Sequence, residues 1–445
     1  MKNVYAFLKR KIFSNEVASK TIKNSSWLVS DKIFTMLIGL FITAIIARYF
    51  GPEDFGQFNY ALAFVSLFTA LSTLGLETLT VKKIIDKDID EGTILCTSLI
   101  LRVTGGLTLT TLATMVIMLI EPNSKNLHMV VIIMSLTMVF KSCEVIEYWL
   151  QTYQKAKVSS IIRMSVYIII AALKIALVFF SGNLIHYALI YLLDSILIGF
   201  SLIIAYFRIR KNKFPWRFSL KYTKSILSQS WYLILSGLMI TLYMRIDQVM
   251  LGFMLPNKSE AGIYSAAVRV AEMWYFVPMA IITSFNPIIM SKKRNNENSF
   301  LHSIQLLFTL VAWVCIGFGL LILIFSEIII SLLYGHEFIK ASGILTISVW
   351  AGTFALLGSA RSTWLISEGL QKYTLVFTFA GCITNITLNY WLIPTHGGFG
   401  AACATLISQI VGVFIIPVFF NKTRMSTIMM IKAFNIRRVF NYIKQ

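Results

Sequence analysis

The chain has 445 residues, of which 57% are hydrophobic and 13% are charged, and its mean hydropathy is +0.74. Soluble domains have about 45–50% apolar residues, so this composition predicts a membrane protein. The formal net charge of +20 could indicate nucleic-acid binding. That function needs a soluble domain with a basic face, and no polar stretch here is long enough to form one, so we expect no nucleic-acid partner.

About twelve apolar runs are long enough to cross a bilayer, since a span needs about 20 residues at about 1.5 Å of helix rise per residue. The first six runs are Trp27–Tyr49, Phe55–Thr78, Thr93–Ile120, Leu127–Leu150, Val158–Phe180 and Leu184–Phe207. The second six are Ile226–Met254, Gly262–Met290, Phe300–Phe325, Ser342–Ser367, Lys372–Ile393 and Gly397–Phe420. The sequence therefore predicts an all-α polytopic membrane protein of about twelve transmembrane helices.

Lysine and arginine concentrate in every second loop of this pattern. The basic segments include residues 82–87, 208–224 and 292–294, whereas the alternate loops contain only Arg48, Lys125, Lys258 and Lys340. Cytoplasmic loops retain positive charge during membrane insertion. The bias therefore predicts that both termini are cytoplasmic.

The even division of the spans predicts two halves. We expect an N-terminal six-helix bundle at 1–207, a basic cytoplasmic linker at 208–225, a C-terminal six-helix bundle at 226–420 and a basic cytoplasmic tail at 421–445. GPEDFGQFNYALAFV joins the first two spans, and LPNKSEAGIYSAAVRV joins the seventh and eighth. Both read proline, acidic residue, glycine, aromatic and small residues, which favours an internal repeat.

Three stretches carry a resemblance to a known family. They are ARYFGPEDFGQFNYALAFVS, EYWLQTYQKAK and MRIDQVMLGFMLPNKSEAGIYSAAVRVAEMWYFVP. There the chain resembles the polysaccharide transporter branch of the multidrug/oligosaccharidyl-lipid/polysaccharide exporter superfamily, above all bacterial O-antigen repeat-unit flippases. The likeness extends in order over nearly the whole chain and fades in the C-terminal tail.

The resemblance implies two six-helix bundles around a central cavity and a flippase that works by alternating access. Its implied cargo is an undecaprenyl-pyrophosphate-linked oligosaccharide, moved from the cytoplasmic to the periplasmic leaflet of the bacterial inner (cytoplasmic) membrane. A glycan polymerase and a chain-length regulator are the implied partners, besides the lipid bilayer. O-antigen and lipopolysaccharide assembly is one pathway of this type, and capsule-type pathways use similar transporters.

Charged residues inside the spans are the candidate functional residues, because each costs roughly 2.5–3.5 kcal/mol at the bilayer centre and so tends to face a cavity or a partner. Arg245 and Asp247 lie in the seventh predicted span, and Arg269 and Glu272 lie on one face of the eighth. Guanidinium groups bind phosphate oxygens in bidentate fashion. We therefore predict substrate binding by Arg245 and Arg269, with mutual neutralisation of Arg269 and Glu272 as the alternative.

Further residues complete this prediction. Arg361 and Lys174 extend the predicted cationic lining, whereas Asp247, Glu272, Asp194 and Asp31 are candidates for ion coupling or charge pairing. Arg102 and Arg163 are expected to snorkel to the headgroups. Lys141 is expected to pair with Glu144 on its own helix.

The sequence predicts no catalytic residues, no metal site and no cofactor. The five cysteines lack metal-ligand spacing, and no GxxxxGK[ST] loop for ATP is present. A membrane enzyme such as an oligosaccharide polymerase would need an exposed catalytic loop, and the predicted outer loops are short. The alternative that stays open is a multidrug or other small-molecule exporter of the same superfamily.

Overall fold

The computed structural model describes residues 16–210 and 214–435, with side chains described at 24–210, 214–293 and 296–435. Positions 211–213 of the predicted linker and 436–445 of the predicted tail lie outside these ranges. The described chain is helical throughout, with turns between helices. The helices are α1 Glu16–Ser72, α2 Leu76–Asp86, α3 Glu91–Ile120, α4 Lys125–Phe140, α5 Val145–Thr152, α6 Ala156–Phe179, α7 Leu184–Ile209, α8 Leu220–Met254, α9 Ser259–Met273, α10 Phe276–Asn295, α11 Glu297–Tyr334, α12 Ala341–Ser367, α13 Lys372–Ile410, α14 Ile416–Val418 and α15 Asn421–Ala433.

Ten segments of the described chain are long and apolar enough to cross a membrane. Two of these segments, Asn24–Asp86 with 63 residues and Lys372–Val418 with 47 residues, are long enough for two crossings each. A glycine with positive φ interrupts each of them, Gly51 at 69° and Gly397 at 54°. Only glycine adopts such angles readily, so each long helix divides into two limbs at its glycine, which agrees with the sequence pattern.

The residues divide by their contacts into two units. Of the described residues, unit 1 contains 16–46, 64–210 and 214–238, and unit 2 contains 47–63 and 239–435. Helix α8 begins at Leu220, within the predicted linker, and the short stretch 47–63 groups with unit 2.

The core of unit 1 lies among α2, α3, α5 and α7. It includes Leu95 and Leu202, which are fully buried, and it is bordered by the aromatic rings of Trp149 and Tyr206, 5.0 Å apart edge to face. Between α4 and α5, residues Lys141–Glu144 form one 3₁₀ turn. Glu144, the last residue of this turn, lies next to Arg102 of α3, and Glu147 of α5 pairs with Arg163 of α6.

The core of unit 2 is built on α11 and α12, with α10, α13 and α15 packed around them. Phe308 and Leu357 are fully buried within it. Met429 and Met430 of α15 are also buried there, so the first part of the predicted tail is a packed helix. Trp313 Nε1 donates to the Ala433 carbonyl at 3.2 Å, and Gln305 Nε2 donates to the Met429 carbonyl at 3.0 Å.

Within unit 2, the two stretches that read as a repeat lie against each other. A Cβ on Gly56 would overlap the Lys258 carbonyl oxygen, and a Cβ on Gly262 would overlap the Pro52 carbonyl oxygen. Glu53 Oε1 also accepts the Lys258 N–H at 3.2 Å. Glycine at positions 56 and 262 therefore allows backbone-to-backbone contact that a side chain on either residue would prevent.

Candidate functional site

A buried carboxylate in unit 2 is held by three neutral donors. Asp247 lies on α8 with 4% of its surface exposed. Its oxygens accept hydrogen bonds from the Tyr264 hydroxyl at 2.6 Å, Asn389 Nδ2 at 2.6 Å and the Thr405 hydroxyl at 2.5 Å. Three bonds of this kind offset part of the cost of burying a charge. No basic side chain in the described part of the chain forms an ion pair with Asp247.

The break in α13 brings two of these donors together. Asn385 and Asn389 lie one turn apart before the break, and Thr405 lies after it, with Asn385 Nδ2 to Thr405 Oγ1 at 3.3 Å. At the break, Glu260 Oε2 accepts the Gly398 N–H at 2.9 Å, and a Cβ on Gly397 would lie 2.5 Å from the same oxygen. The positive φ of Gly397 thus positions the second limb of α13 against the first.

One polar atom in this cluster has no partner. Asn389 Oδ1 is buried and accepts no hydrogen bond among the described residues, although its amide nitrogen bonds to both Asp247 and Asn385. The Asp247 carboxylate, Asn389 Oδ1 and the Tyr264 and Thr405 hydroxyls therefore form a group of neighbouring oxygen atoms. Oxygen groups of this composition suit a proton or a hard cation such as Na⁺.

Asp247 opens onto a cavity of about 280 Å³. Glu272, predicted from the sequence, lies in the same lining, together with Tyr264, Tyr275 and Thr405. The two predicted acids of the seventh and eighth spans therefore share one cavity. Arg269 is exposed on α9 and forms no ion pair with Glu272, so the mutual neutralisation given as the alternative is not observed.

A second cavity, of about 250 Å³, contains Arg361 in its lining. This arginine lies on α12, is 2% exposed and bonds through Nη2 to Thr427 Oγ1 at 3.1 Å and to Met430 Sδ at 2.8 Å. Its Nε has no partner, and its guanidinium carbon lies 5.9 Å from the centre of the Phe377 ring. The two cavities share lining residues, namely Tyr243, Met244, Ala355, Ser359 and Gln409.

The other predicted residues lie apart from these cavities. Arg245 is half-buried on α8 and forms no hydrogen bond or ion pair with any residue the structure describes. In unit 1, the Lys174 ammonium lies 5.3 Å from the centre of the Tyr187 ring. Asp31 and Asp194 are half-buried, and each has one carboxylate oxygen that is buried without a partner.

Unit 1 contains an ionic network that the sequence did not predict. Arg102 is 1% exposed and donates to the Tyr148 hydroxyl at 2.9 Å and to Glu144 at 3.3 Å, so the expected snorkelling to the headgroups is wrong. Arg163 pairs with Glu147 and lies 3.9 Å from Glu144. Because the 3₁₀ turn redirects Glu144, that carboxylate pairs with arginines on neighbouring helices instead of with Lys141.

Sequence reasoning also missed the partners of Asp247. Tyr264, Asn389 and Thr405 are uncharged and lie 17, 142 and 158 residues after Asp247 in the chain. One signal was available, since Asn385 and Asn389 repeat at i and i+4 within an otherwise apolar run. Such a pair places two amides on one helix face.

The sequence profile of the family described as "Polysaccharide biosynthesis protein" matches residues 21–293, which is more than half of the chain. The chain belongs to this family. A second profile, described as "MatE", matches residues 233–391, the part of the chain that holds Asp247, Glu272 and Arg361.

Individual proteins agree with this family. The chain is 25% identical to a capsular polysaccharide biosynthesis protein, CapF, of Staphylococcus aureus, over 88% of this chain and 96% of the relative. It is 27% identical to the "Probable low-salt glycan biosynthesis flippase Agl15" of Haloferax volcanii, over 43% of this chain and 40% of the relative. A solved structure of the lipid II flippase MurJ, in an inward closed conformation, superposes with a TM-score of 0.74 and 19% identity, over 91% of this chain and 90% of that one.

The MurJ likeness confirms the predicted all-α polytopic transporter fold. Family membership makes this protein a membrane transporter of the flippase type that acts in polysaccharide assembly, and not an enzyme. The expectation of a glycan transporter embedded in a lipid bilayer is thereby confirmed.

Proposed function

We propose that this protein carries an undecaprenyl-pyrophosphate-linked oligosaccharide repeat unit from the cytoplasmic to the periplasmic leaflet of a bacterial inner membrane. Transport proceeds by alternating access and is coupled to an ion. The family match and the similarity to CapF and Agl15 support a glycan cargo. A glycan polymerase and a chain-length regulator are the proteins that would use the delivered unit.

The observation that carries ion coupling is the buried Asp247 carboxylate. It has three neutral donors and no cationic partner in the described structure, so a proton or a cation would supply the positive charge that the protein does not provide there. Protonation of the carboxylate would weaken the three hydrogen bonds. A bound cation would replace them with contacts between the cation and the carboxylate oxygens. Because these bonds join α8, α9 and both limbs of α13, the ion state of one carboxylate changes how three helices are held together.

This proposal is tested by glycan export in a bacterium that lacks its own flippase. We expect the wild-type chain to restore export and Asp247→Asn to abolish it, with equal membrane levels by immunoblot. Asp88→Asn makes the same chemical change at an exposed acid and should export normally. Transport into inverted vesicles under imposed proton or Na⁺ gradients then identifies the ion, and an Asp247→Asn variant with unchanged gradient dependence would contradict coupling at this residue.

The match of the MatE profile over 233–391 favours a multidrug or other small-molecule exporter as the second candidate. Exporters of cationic compounds need an acidic or aromatic cavity, and Asp247 with Glu272 would supply one. The same cells distinguish the two functions. Efflux of a cationic dye without restored glycan export would favour the exporter.

A further inference from the structure

Helix α15 begins where the last membrane segment of the described chain ends. The stretch from Gly397 to Val418 is long enough to cross a bilayer once, so α15 starts on the side opposite Gly397. The charge bias of the loops predicts that this side is the cytoplasm. With 13 residues, α15 is about 20 Å long, whereas the hydrocarbon core is about 30 Å thick. The helix therefore lies on the cytoplasmic side of unit 2 and does not cross the bilayer.

The inner face of α15 is packed on unit 2. Met429 and Met430 belong to the buried core, and Thr423 Oγ1 donates to the Pro417 carbonyl at 2.8 Å. Two side chains of α11 also donate to backbone carbonyls of α15. These contacts leave α15 little freedom to rotate about its axis. They therefore decide which of its side chains point away from the protein.

The outer face of α15, formed by Arg424, Met425, Ile428, Ile431 and Lys432, combines positive charge with apolar side chains. All five residues are exposed, and they lie along one side of the helix because they recur at spacings of three or four residues. Neither of the two cations forms an ion pair or a hydrogen bond with any residue the structure describes. The sequence 421–445 contains six lysines and arginines and no acidic residue, so it offers no counter-charge either.

This composition fits the headgroup layer of a bilayer. Hydrocarbon alone would leave Arg424 and Lys432 unsolvated, and water alone would leave Ile428 and Ile431 without apolar contacts. Basic amphipathic helices lie in the headgroup layer, where their charges meet anionic lipids and their apolar side chains enter the acyl boundary. We propose that the outer face of α15 binds anionic phospholipid in the cytoplasmic leaflet, with Arg424 and Lys432 contacting headgroups and Ile428 contacting acyl chains between them. The inference does not depend on the cargo of the transporter.

Lipid bound on the outer face should hold α15 more firmly against unit 2. A ligand that binds the docked helix stabilises that state relative to the undocked one. Gln305 and Trp313 of α11 and Arg361 of α12 all bond to α15, so its undocking would break contacts to two helices. Exchange of the backbone amides of α15 with solvent reports on this undocking and therefore on lipid binding.

Hydrogen–deuterium exchange of the purified full-length protein in nanodiscs tests this surface. Exchange of amides 421–435 is compared in discs of phosphatidylcholine and in discs that also contain phosphatidylglycerol. Each cation near an anionic surface strengthens binding by a factor of roughly five, so we expect phosphatidylglycerol to slow exchange at least about 10-fold. With the exposed Lys422→Gln, Arg424→Gln and Lys432→Gln combined, this difference should disappear. Exchange of that variant in phosphatidylcholine should match the wild type, because the inner face is unchanged.

Two controls separate this site from general charge effects. Lys82→Gln, Lys83→Gln and Lys87→Gln combined remove the same charge from another basic segment and should keep the full lipid effect. Soluble glycerol phosphate, added to phosphatidylcholine discs, should not slow exchange, because it brings no acyl chains.

Three results would overturn the lipid proposal. The first is equal exchange in the two bilayers, or a lipid effect that survives in the triple variant of α15. The second is protection by glycerol phosphate, which would assign the cations to a soluble anion. The third is protection in phosphatidylcholine that increases with the number of chains per disc, which would assign the outer face to a second copy of the chain.

Discussion

The hydrogen bond from Tyr264 to Asp247 provides a quantitative test of the buried cluster. Tyr264→Phe removes the hydroxyl that donates to the carboxylate at 2.6 Å and leaves the ring in place, where the residue is 3% exposed. Hydrogen bonds to charged groups contribute about 1.5–3 kcal/mol. We therefore expect the free energy of unfolding to fall by about that amount.

A double-mutant cycle isolates the charge dependence of this bond. In an Asp247→Asn background the same hydroxyl meets a neutral amide, so Tyr264→Phe should cost only about 0.5–1.5 kcal/mol. The measurement is reversible unfolding of the purified protein in mixed SDS micelles. Tyr334→Phe is the matched control, since the Tyr334 hydroxyl is buried without a partner and its removal should be neutral or stabilising.

The reasoning fails if the two costs of Tyr264→Phe are equal within about 0.3–0.5 kcal/mol, the ordinary limit of additivity. That result would mean that Asp247 is already neutral in the resting protein. It would leave a proton, already bound to Asp247, as the only ion that fits the coupling proposal.

Two structural contacts give the remaining predictions. Gly56→Ala places a methyl group against backbone of unit 2 and should destabilise the protein by at least about 2 kcal/mol, measured by the same unfolding assay, whereas Gly317→Ala meets nothing within 4 Å and should be neutral or stabilising. Arg102→Met should lower the free energy of unfolding by about 1.5–3 kcal/mol because it removes the charge-assisted hydrogen bonds to Tyr148 and Glu144. Lys83→Met breaks a pair at the surface and should change the free energy of unfolding by less than about 1 kcal/mol. Equal effects of Arg102→Met and Lys83→Met would contradict the burial argument.

Hydropathy along the chain determined the helical membrane fold. Apolar runs of sufficient length can only be spanning helices in lipid, because every backbone polar group must bond within its own helix. The same logic marked Asp247, Glu272 and Arg361 as unusual, since a charge inside an apolar run needs a local reason. Those three residues do line the two cavities of unit 2.

Tertiary structure decided which groups meet these charges. Asn389 and Thr405 lie 142 and 158 residues from Asp247 in the chain, and their contact depends on the sharp break at Gly397. Arg102 looked able to reach the headgroups, but the 3₁₀ turn at Lys141–Glu144 placed a carboxylate next to it. Hydropathy and spacing describe single helices, whereas hydrogen-bond partners across helices depend on breaks and rotations of a few residues. The sequence therefore determined the helices and their buried charges, and packing alone decided the pairing of those charges.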